Sequence, residues 1–248
     1  MSFRVVIPAR FDSSRLPGKA LLPLAGKPML QWVHERACAS QAAEVVVATD
    51  DERIANAARG FGADVALTAR THLTGTDRIA EVAAKRGWLD DGIVVNVQGD
   101  EPLIPPVVID QVAKLLAAHA RADIATLAVK LDAPADLSDP NTVKVACDAN
   151  GRALYFSRAP IPWNRDAPST LTGAHLRHVG IYAYRVAALR RLAALTPTRL
   201  EQIEKLEQLR ALENGLEIRV ALAVERPLAD VNTAADLERA ERALQVRP

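Results

Sequence analysis

Cysteine is scarce in this chain: only Cys38 and Cys147 occur among 248 residues, without a C-x-x-C motif or a Cys/His cluster. This pattern indicates neither a disulfide framework nor a zinc site. Long uncharged apolar runs and a signal-peptide h-region are also lacking. We therefore expect a soluble, cytoplasmic protein without a membrane partner.

An excess of charge of one sign is lacking as well, since 31 Lys and Arg face 30 Asp and Glu. Without a global field, nucleic acid is not an expected partner, and local clusters must carry any charge-driven binding. Aromatic residues make up only 4% of a chain that is 49% apolar, so Ala, Val, Leu and Ile must build the core. The length suits one large α/β domain, with or without an inserted lobe.

The first half of the chain alternates short apolar runs with helical segments. The predicted strands are residues 3–7, 44–49, 63–68 and 93–97, and the predicted helices are 29–39, 52–59, 79–85 and 107–119. This alternation predicts an α/β fold with a doubly wound, mainly parallel, Rossmann-like sheet.

The pattern changes after residue 120. Strands are predicted at 124–129, 142–147, 153–157 and 179–184, and a proline-rich loop precedes the last of them. We interpret residues 124–184 as a small β-containing lobe of a single domain, folded over the first half of the chain. A helix at 200–212, a strand at 216–224 and a helix at 234–246 complete the chain, the last helix with a capping box of Thr233 and Asp236.

A basic loop follows the first strand, which we expect to stop at Pro8 because proline cannot donate to a sheet ladder. The loop carries Arg10, Arg15 and Lys19 beside small residues, a composition that suits a polyphosphate. Neither G-x-x-x-x-G-K-[ST] nor G-x-G-x-x-G is present, so this is not a common phosphate loop. The alternative is a solvated basic loop.

A second chemical centre follows the fourth strand, where Gln98, Gly99 and Asp100 precede Glu101 and Pro102. A carboxylate at the carboxyl end of a strand is well placed to hold Mg²⁺, which takes one or two protein carboxylates and completes its shell with water and phosphate oxygens. The alternative is a turn before Pro102. The metal-binding interpretation predicts that the ends of the first and fourth strands are neighbours, so that a polyphosphate can bridge the basic loop and Asp100.

Two further segments allow either a structural or a binding role. Residues 74–78 could cap a helix or contact a nucleobase edge, with Arg78 near the phosphates. On the predicted helix 200–212, Leu200, Ile203 and Glu207 share one stripe. Glu207 should therefore point inward, towards either a buried arginine or the hydroxyls of a ligand.

The proline-rich loop and the strand after it carry Arg158, Arg165, Arg177 and His178. Several cations in one region suit an acidic small molecule, for example a sugar that bears a carboxylate. An ordinary exposed basic loop is the alternative.

Seven motifs together resemble the 3-deoxy-manno-octulosonate cytidylyltransferase family, nearly end to end and in order. They are VIPAR at 6–10, SRLPGK at 14–19, GTDR at 75–78, VNVQGDEP at 95–102, LYFSR at 154–158, HVGIY at 178–182 and LEQLR at 206–210. The resemblance implies a homodimeric, Mg²⁺-dependent nucleotidyltransferase, in which the lobe at 124–184 would contribute to sugar binding and dimer contact. Such an enzyme transfers CMP from CTP to 3-deoxy-D-manno-octulosonate (KDO), releasing pyrophosphate, in lipopolysaccharide biosynthesis.

The resemblance also implies a set of site residues. Arg15, Lys19 and Asp100 would be catalytic. The nucleotide would contact Pro8, Ala9, Arg10, Arg15, Lys19, Thr74, Gly75, Arg78 and Gln98. The sugar would contact Gln98, Arg158, His178, Tyr182, Glu207 and Gln208.

The metal site departs from the family pattern. Asp100 would bind the ion, but Asn232 stands where relatives usually carry a second aspartate. An asparagine oxygen is a weaker ligand for a hard cation. Either Asp230 substitutes for it, or the site depends more on Asp100 and the phosphates. Two other functions stay open: a cytidylyltransferase for another acidic sugar, and a nucleotide-binding protein without catalysis.

Overall fold

The computed structural model describes residues 2–11, 16–168, 170–228 and 230–246. In chain order the strands are β1 (Phe3–Ala9), β2 (Pro23–Leu24), β3 (Lys27–Pro28), β4 (Glu44–Thr49), β5 (Asp64–Leu67), β6 (Ile93–Asn96), β7 (Ile124–Lys130), β8 (Lys144–Cys147), β9 (Ala153–Ser157), β10 (Leu176–Arg185) and β11 (Ile218–Leu222). The helices are α1 (Met29–Cys38), α2 (Glu52–Gly60), α3 (Gly75–Lys85), α4 (Pro106–Ala118), α5 (Pro134–Ser138), α6 (Val186–Ala194), α7 (Arg199–Glu204), α8 (Gln208–Glu213) and α9 (Ala234–Val246).

The main sheet has the strand order β11-β7-β10-β6-β1-β4-β5. Neighbouring strands run parallel except around β10, which is antiparallel to both β6 and β7. The chain leaves β1 towards β4 on one side and reaches β6 on the other, so the order of strands reverses at β1. In open α/β sheets a ligand crevice forms at such a reversal, outside the carboxyl ends of the strands.

Helices cover both faces of the sheet, because the side chains of each buried strand alternate between two apolar layers. On β1, Val5 and Ile7 pack on the face covered by α1, α2 and α4. Val6 packs on the other face, against α3, α6 and α8. The predicted mainly parallel α/β fold is therefore confirmed.

Strand β1 does not stop at Pro8, as the sequence predicted, but continues to Ala9. Pro8 is in register with Ala48 of β4, whereas the pairing with β6 ends at Val6 and Asn96. The missing N–H of Pro8 thus falls where no second neighbour requires it. The ladder between β1 and β6 ends at this point, so the residues that follow it on both strands can line a cavity.

The predicted helix over residues 200–212 is wrong. The structure has two short helices, α7 and α8, and Lys205 between them adopts a left-handed conformation with φ of 55°. An unbroken helix would turn Ile203 towards the core, but Ile203 is 67% exposed. An ion pair crosses the break, with Arg210 Nη2 2.5 Å from Glu201 Oε1. Since no glycine or proline marks the break, the local sequence offered no signal for it.

The segment 124–184 is only partly separate from the main sheet. Strands β7 and β10 belong to that sheet, while β8 pairs with β10 and carries β9 as a hairpin. Its suggested contributions to sugar binding and dimer contact stay predictions. Among the described helices, none is long and apolar enough to cross a membrane.

The turn between β8 and β9 gives a test of the fold. Gly151 has φ of +79°, and a Cβ there would lie 2.8 Å from the carbonyl oxygen of Val220. We expect Gly151→Ala to lower the free energy of unfolding by roughly 3 kcal/mol, from backbone strain plus this clash. The matched control is Gly215→Ala, since Gly215 has φ of +75° with open space around it. It should cost about 1 kcal/mol. Equal losses in urea unfolding would contradict the clash.

Candidate active site

A cavity of about 440 Å³ opens at the ends of β1 and β6. Its walls come from the end of β1, the start of α3, the segment after β6, and residues near α8 and α9. The lining residues are Pro8, Ala9, Arg10, Lys19, Ala20, His72, Leu73, Thr74, Gly75, Thr76, Arg78, Asn96, Gln98, Gly99, Asp100, Glu207 and Asn232. Apart from Arg15, which lies outside the described residues, the residues that the sequence assigned to the nucleotide all line this cavity.

Two glycines allow the cavity walls to approach β1 closely. A Cβ on Gly99 would lie 3.0 Å from the carbonyl oxygen of Pro8, and one on Gly75 would lie 3.2 Å from Cγ of the same proline. Either side chain would push its loop away from the end of β1. The two glycines therefore bring the segment that bears Asp100 and the start of α3 to the same strand end.

Lys19 and Asp100 meet inside the cavity. Gly18, with φ of 68°, leads into a 3-10 turn at Lys19–Leu21, and the Lys19 side chain extends from this turn. Its Nζ donates to Asp100 Oδ2 at 2.5 Å, to the carbonyl oxygen of Val231 at 2.9 Å and to Asn232 Oδ1 at 3.3 Å. The predicted proximity of the basic loop and the acidic strand end is thus observed for Lys19.

The segment 74–78 caps α3, as one of its two interpretations predicted. Thr74 accepts a hydrogen bond from the backbone N–H of Asp77 at 3.1 Å, and the Asp77 side chain accepts one from the backbone N–H of Thr74 at 3.2 Å. Arg78 lines the cavity but is only 3% exposed, and its guanidinium pairs with Asp50 at 3.1 Å and hydrogen-bonds Thr68. Its contact with a nucleotide stays a prediction.

A divalent cation would find few carboxylates here. Among the described residues, no group of three or more His, Cys, Asp or Glu side chains is arranged to hold a metal. The oxygens of Asp100, Val231 and Asn232 already surround one cation, the Lys19 ammonium, which shows that this donor set fits a positive charge. Asp230 is exposed and accepts a hydrogen bond from the Asn232 amide. Such a sparse set suits Mg²⁺, which completes its shell with phosphate oxygens and water.

A second, smaller cavity of about 150 Å³ lies beside the first. Tyr182 and Gln208 line it, and Gln98 and Glu207 line both cavities. Four of the residues assigned to the sugar therefore lie together.

Glu207 faces this junction with a buried carboxyl oxygen. Its Oε1 is buried and accepts no hydrogen bond from the described residues. Burial raises the pKa of the Glu207 carboxyl. The nearby Arg210 pairs with Glu201 instead. The sequence predicted that Glu207 contacts either a buried arginine or a ligand. The structure shows no ion pair between Glu207 and Arg210, and the contact with a ligand stays a prediction.

Sequence reasoning missed a buried polar group beneath the two cavities. Asn96, Thr76 and Tyr184 line this region, and the Tyr184 hydroxyl hydrogen-bonds Thr76 and Asn96. Oδ1 of Asn96, a residue 3% exposed, has no hydrogen-bond partner among the described residues. Burial raises the pKa of Tyr184. The available signal was an asparagine inside the apolar run of β6, because a buried polar group normally requires a partner.

Glu101 is a second carboxyl that sequence reasoning did not assign. Its Oε2 is buried without a hydrogen-bond partner among the described residues. Burial, together with the negative charges of Asp100 and Asp230, raises the pKa of Glu101 to about 8. The side chain therefore carries a proton at neutral pH and does not add a full negative charge beside Asp100.

The structure does not bring Arg158 or His178 to either cavity wall. Arg158 donates through Nε to the carbonyl oxygen of Glu204 and through Nη1 to that of Pro140, both at 2.7 Å. His178 Nε2 lies 2.9 Å from Thr126 Oγ1. The Thr126 hydroxyl donates to the carbonyl oxygen of Ile181 at 2.7 Å, so His178 Nε2 must be the donor to Thr126. The contacts of both residues with a sugar stay predictions.

The buried His178 should make the free energy of unfolding depend on pH. Burial, and secondarily the charge of Arg177, lowers the pKa of His178 to about 3. The unfolded chain protonates this histidine near pH 6.5 and the folded chain does not, so stability falls as pH decreases from 6.5 towards 3. We expect His178→Gln to flatten the dependence of unfolding free energy on pH by up to about 1.4 kcal/mol per pH unit. Urea unfolding between pH 6.5 and 4.5 measures it, and parallel profiles would contradict the assignment.

Comparison with known proteins places the chain among sugar-activating enzymes. A family model described as cytidylyltransferase matches residues 4–218. Three similar relatives carry the name 3-deoxy-manno-octulosonate cytidylyltransferase. The protein from Thioalkalivibrio sulfidiphilus is 54% identical over 99% of this chain and 100% of its own length. That from Pseudomonas syringae is 56% identical over 98% of both chains, and that from Vibrio cholerae is 52% identical over 100% of this chain and 99% of its own.

Solved structures agree with these relatives. A structure of CMP:2-keto-3-deoxy-manno-octonic acid synthetase complexed with CTP superposes with a TM-score of 0.91, at 42% identity, and 98% of each chain is covered. A cytidylyltransferase from Leptospira borgpetersenii has a TM-score of 0.63 at 18% identity, over 98% of this chain and 86% of that one. The second likeness concerns the fold alone.

Proposed function

This chain belongs to the cytidylyltransferase family, and from that premise we propose that it transfers CMP from CTP to KDO, giving CMP-KDO and pyrophosphate. It is a nucleotidyltransferase, and KDO is the acceptor that its relatives' names identify. The observation that carries the proposal is the cavity at the β1 and β6 ends. There Lys19 and Asp100 lie 2.5 Å apart, beside a polar pocket lined by Glu207.

The cleft is suited to displacement at phosphorus. The anomeric hydroxyl oxygen of the sugar attacks the α-phosphorus of CTP and forms the new P–O bond. The bond from the α-phosphorus to the bridging oxygen breaks in line with the attack, pyrophosphate leaves with that electron pair, and the hydroxyl proton passes to solvent. Such transfers depend mostly on positioning and on neutralising charge. Lys19 and Arg10, on the nucleotide wall, offset the negative charge of the triphosphate and of the leaving pyrophosphate.

The smaller cavity holds the sugar acid next to the nucleotide. Glu207 and Gln208 present hydrogen-bonding groups to the sugar hydroxyls, and Tyr182 forms part of the same wall. Gln98 lines both cavities and so touches both substrates. Because Glu207 already holds an unpartnered oxygen in this wall, little reorganisation is required when a hydroxyl arrives.

The proposal includes a divalent cation, Mg²⁺, held by Asp100 with the neutral oxygen of Asn232 or the carboxylate of Asp230. The ion, when bound, offsets charge at the α-phosphate and lowers the pKa of the attacking hydroxyl. With one full carboxylate at the centre, most of its remaining ligands come from the triphosphate and water.

We extend the proposal to the setting of the enzyme: a cytoplasmic homodimer that works in lipopolysaccharide biosynthesis. Exposed apolar side chains on the segment 124–184 support a subunit contact there, with Leu154 54% and Trp163 63% exposed. Sedimentation equilibrium should give a mass near twice the 26.8 kDa of one chain. A mass of one chain over the whole concentration range would remove the dimer from the proposal.

The decisive experiment measures pyrophosphate release with CTP, Mg²⁺ and KDO, with product analysis for CMP-KDO. We expect release that requires all three components. N-acetylneuraminate in place of KDO is the matched control for another acidic sugar. Release with N-acetylneuraminate alone would favour a different cytidylyltransferase, and CTP binding without release under any condition would favour a non-catalytic nucleotide-binding protein.

A further inference from the structure

The Lys19 ammonium occupies a cation position made by the chain itself. Its three contacts are a carboxylate oxygen of Asp100, a backbone carbonyl oxygen of Val231 and an amide oxygen of Asn232. All three are hard oxygen donors of the kind that Mg²⁺ prefers. The side chains of Lys19 and Asp100 are only 15% and 24% exposed, so solvent weakens their attraction less than at the surface.

An ammonium and a divalent cation cannot share this position. Each N–H of Lys19 points at an oxygen lone pair that a metal would need, and the ammonium keeps its positive charge within 2.5 Å of the one carboxylate. A metal ion beside Asp100 would therefore face both lost ligands and charge repulsion. Lysine is suited to leave, because its compact charge sits on a flexible four-carbon stem.

Asn232 makes the position selective for a single charge. An amide oxygen adds a contact to the ammonium without adding a second negative charge. Lys19 and Asp100 then cancel each other, and Asp230 lies exposed, where solvent weakens its attraction. A free divalent cation meets little net attraction at this point until another anion takes Lys19 away.

We propose that Lys19 is a placeholder for the divalent cation, so that firm metal binding at Asp100 follows the arrival of the triphosphate, which draws the ammonium away. This inference rests on the proposed function for the identity of the anion, but the competition itself is a property of the chain. It assigns Lys19 two positions: on Asp100 before the nucleotide binds, and on phosphate oxygens afterwards.

The test measures Mn²⁺ binding to the full chain without nucleotide, by the electron paramagnetic resonance signal of the free ion. Lys19→Met removes the ammonium and keeps a similar side-chain length. We expect it to tighten Mn²⁺ binding roughly tenfold, the value of one charge-assisted hydrogen bond. The double variant Lys19→Met with Asp100→Asn should lose that gain, which locates the ion at Asp100.

Arg10→Met is the matched control, because it removes one positive charge from the same cavity wall without removing an ion pair with Asp100. It should leave Mn²⁺ binding nearly unchanged. An equal gain in both single variants would reduce the effect to general electrostatics and overturn the proposal. Equal Mn²⁺ affinity in the wild type and Lys19→Met would overturn it as well.

A reciprocal measurement uses the unaltered protein. If metal and ammonium compete, Mn²⁺ must free Lys19, and the rate of its acetylation by acetic anhydride, followed by mass spectrometry, should rise. Lys27, which pairs with Glu35 at 2.8 Å, serves as the internal control. No change at Lys19 relative to Lys27 would contradict the competition. These measurements do not depend on turnover. Competition between metal and Lys19 without pyrophosphate release would refute only the proposed function, and pyrophosphate release without such competition would refute only this inference.

Discussion

Replacing Asp100 with asparagine is expected to slow pyrophosphate release by roughly 10³-fold while the protein stays folded. The substitution removes the Asp100 carboxylate, and among the described residues no cluster of three or more His, Cys, Asp or Glu side chains could hold the ion instead. Lys19, the partner of Asp100, keeps its hydrogen bonds to the carbonyl oxygen of Val231 and to Asn232 Oδ1 in this variant, so the protein should stay folded. Steady-state release of pyrophosphate and a thermal melt of the same sample measure both parts.

Asp64→Asn is the matched control for this substitution. Asp64 pairs with Arg86 at 2.6 Å on the outer strand β5, and its side chain is 46% exposed. The same chemical change there should leave turnover within about twofold, because an exposed ion pair contributes little. Near-normal turnover in Asp100→Asn would refute the assignment of the metal to Asp100. A fall in turnover that accompanies a collapsed melting transition would point to a structural effect instead.

Replacing Glu207 with glutamine is expected to raise the KM for KDO by roughly 10- to 100-fold, with the KM for CTP changed little. The estimate corresponds to one or two hydrogen bonds from sugar hydroxyls to a charged acceptor. Stability should stay the same or rise by up to about 1 kcal/mol, because a neutral amide costs less to bury than a carboxylate and Oε1 of Glu207 has no hydrogen-bond partner among the described residues to lose. Separate KM values for the two substrates, with urea unfolding, test both statements.

The nearby Glu201 gives the opposite pattern. Glu201 pairs with Arg210, a residue only 4% exposed, and Glu201→Gln leaves this guanidinium without its charge partner. We expect a loss of roughly 3 kcal/mol in the free energy of unfolding. A stability loss in Glu207→Gln as large as in Glu201→Gln would assign Glu207 to the fold and remove it from the sugar site.

The two glutamates show how folding and function separate in one short segment. Glu201 forms an ion pair with Arg210 and so connects α7 to α8. Glu207, after the left-handed Lys205, is left with one oxygen that no described residue satisfies. A protein keeps such a group at a cost in stability, which is the usual mark of a site that a ligand completes.

Much of the architecture was accessible from the order of the residues. The apolar runs of β1, β4 and β6 and the intervening helical periodicity predicted a mainly parallel sheet, because strands buried on both faces must be almost wholly apolar. The positions of Lys19 and Asp100 after two such strands predicted that they would share a crevice. Their contact at 2.5 Å agrees with that expectation.

The sequence could not show where the helix predicted over residues 200–212 is interrupted, or which buried polar groups lack hydrogen-bond partners. Residues 199–213 are strong helix formers throughout, yet the ion pair of Glu201 and Arg210 and the packing of Leu209 against the sheet favour two helices. Intrinsic propensity is worth tenths of a kcal/mol per residue, and tertiary contacts outweigh it. Arg158 shows the same limit, because its guanidinium is taken by the carbonyl oxygens of Glu204 and Pro140, which are distant in sequence.

The sequence by itself determined the kind of sheet, the two strand ends that carry charge, and the family to which the chain belongs. Periodicity and the residues that follow each strand are local properties, and local properties can be inferred from the chain. Only the tertiary structure decided that Lys19 contacts Asp100 and Asn232 as a cation would, and that Asn96 and Glu207 line the same two cavities. Those arrangements depend on which residues distant in sequence the fold brings together, and on which of their polar groups are already hydrogen-bonded to other residues.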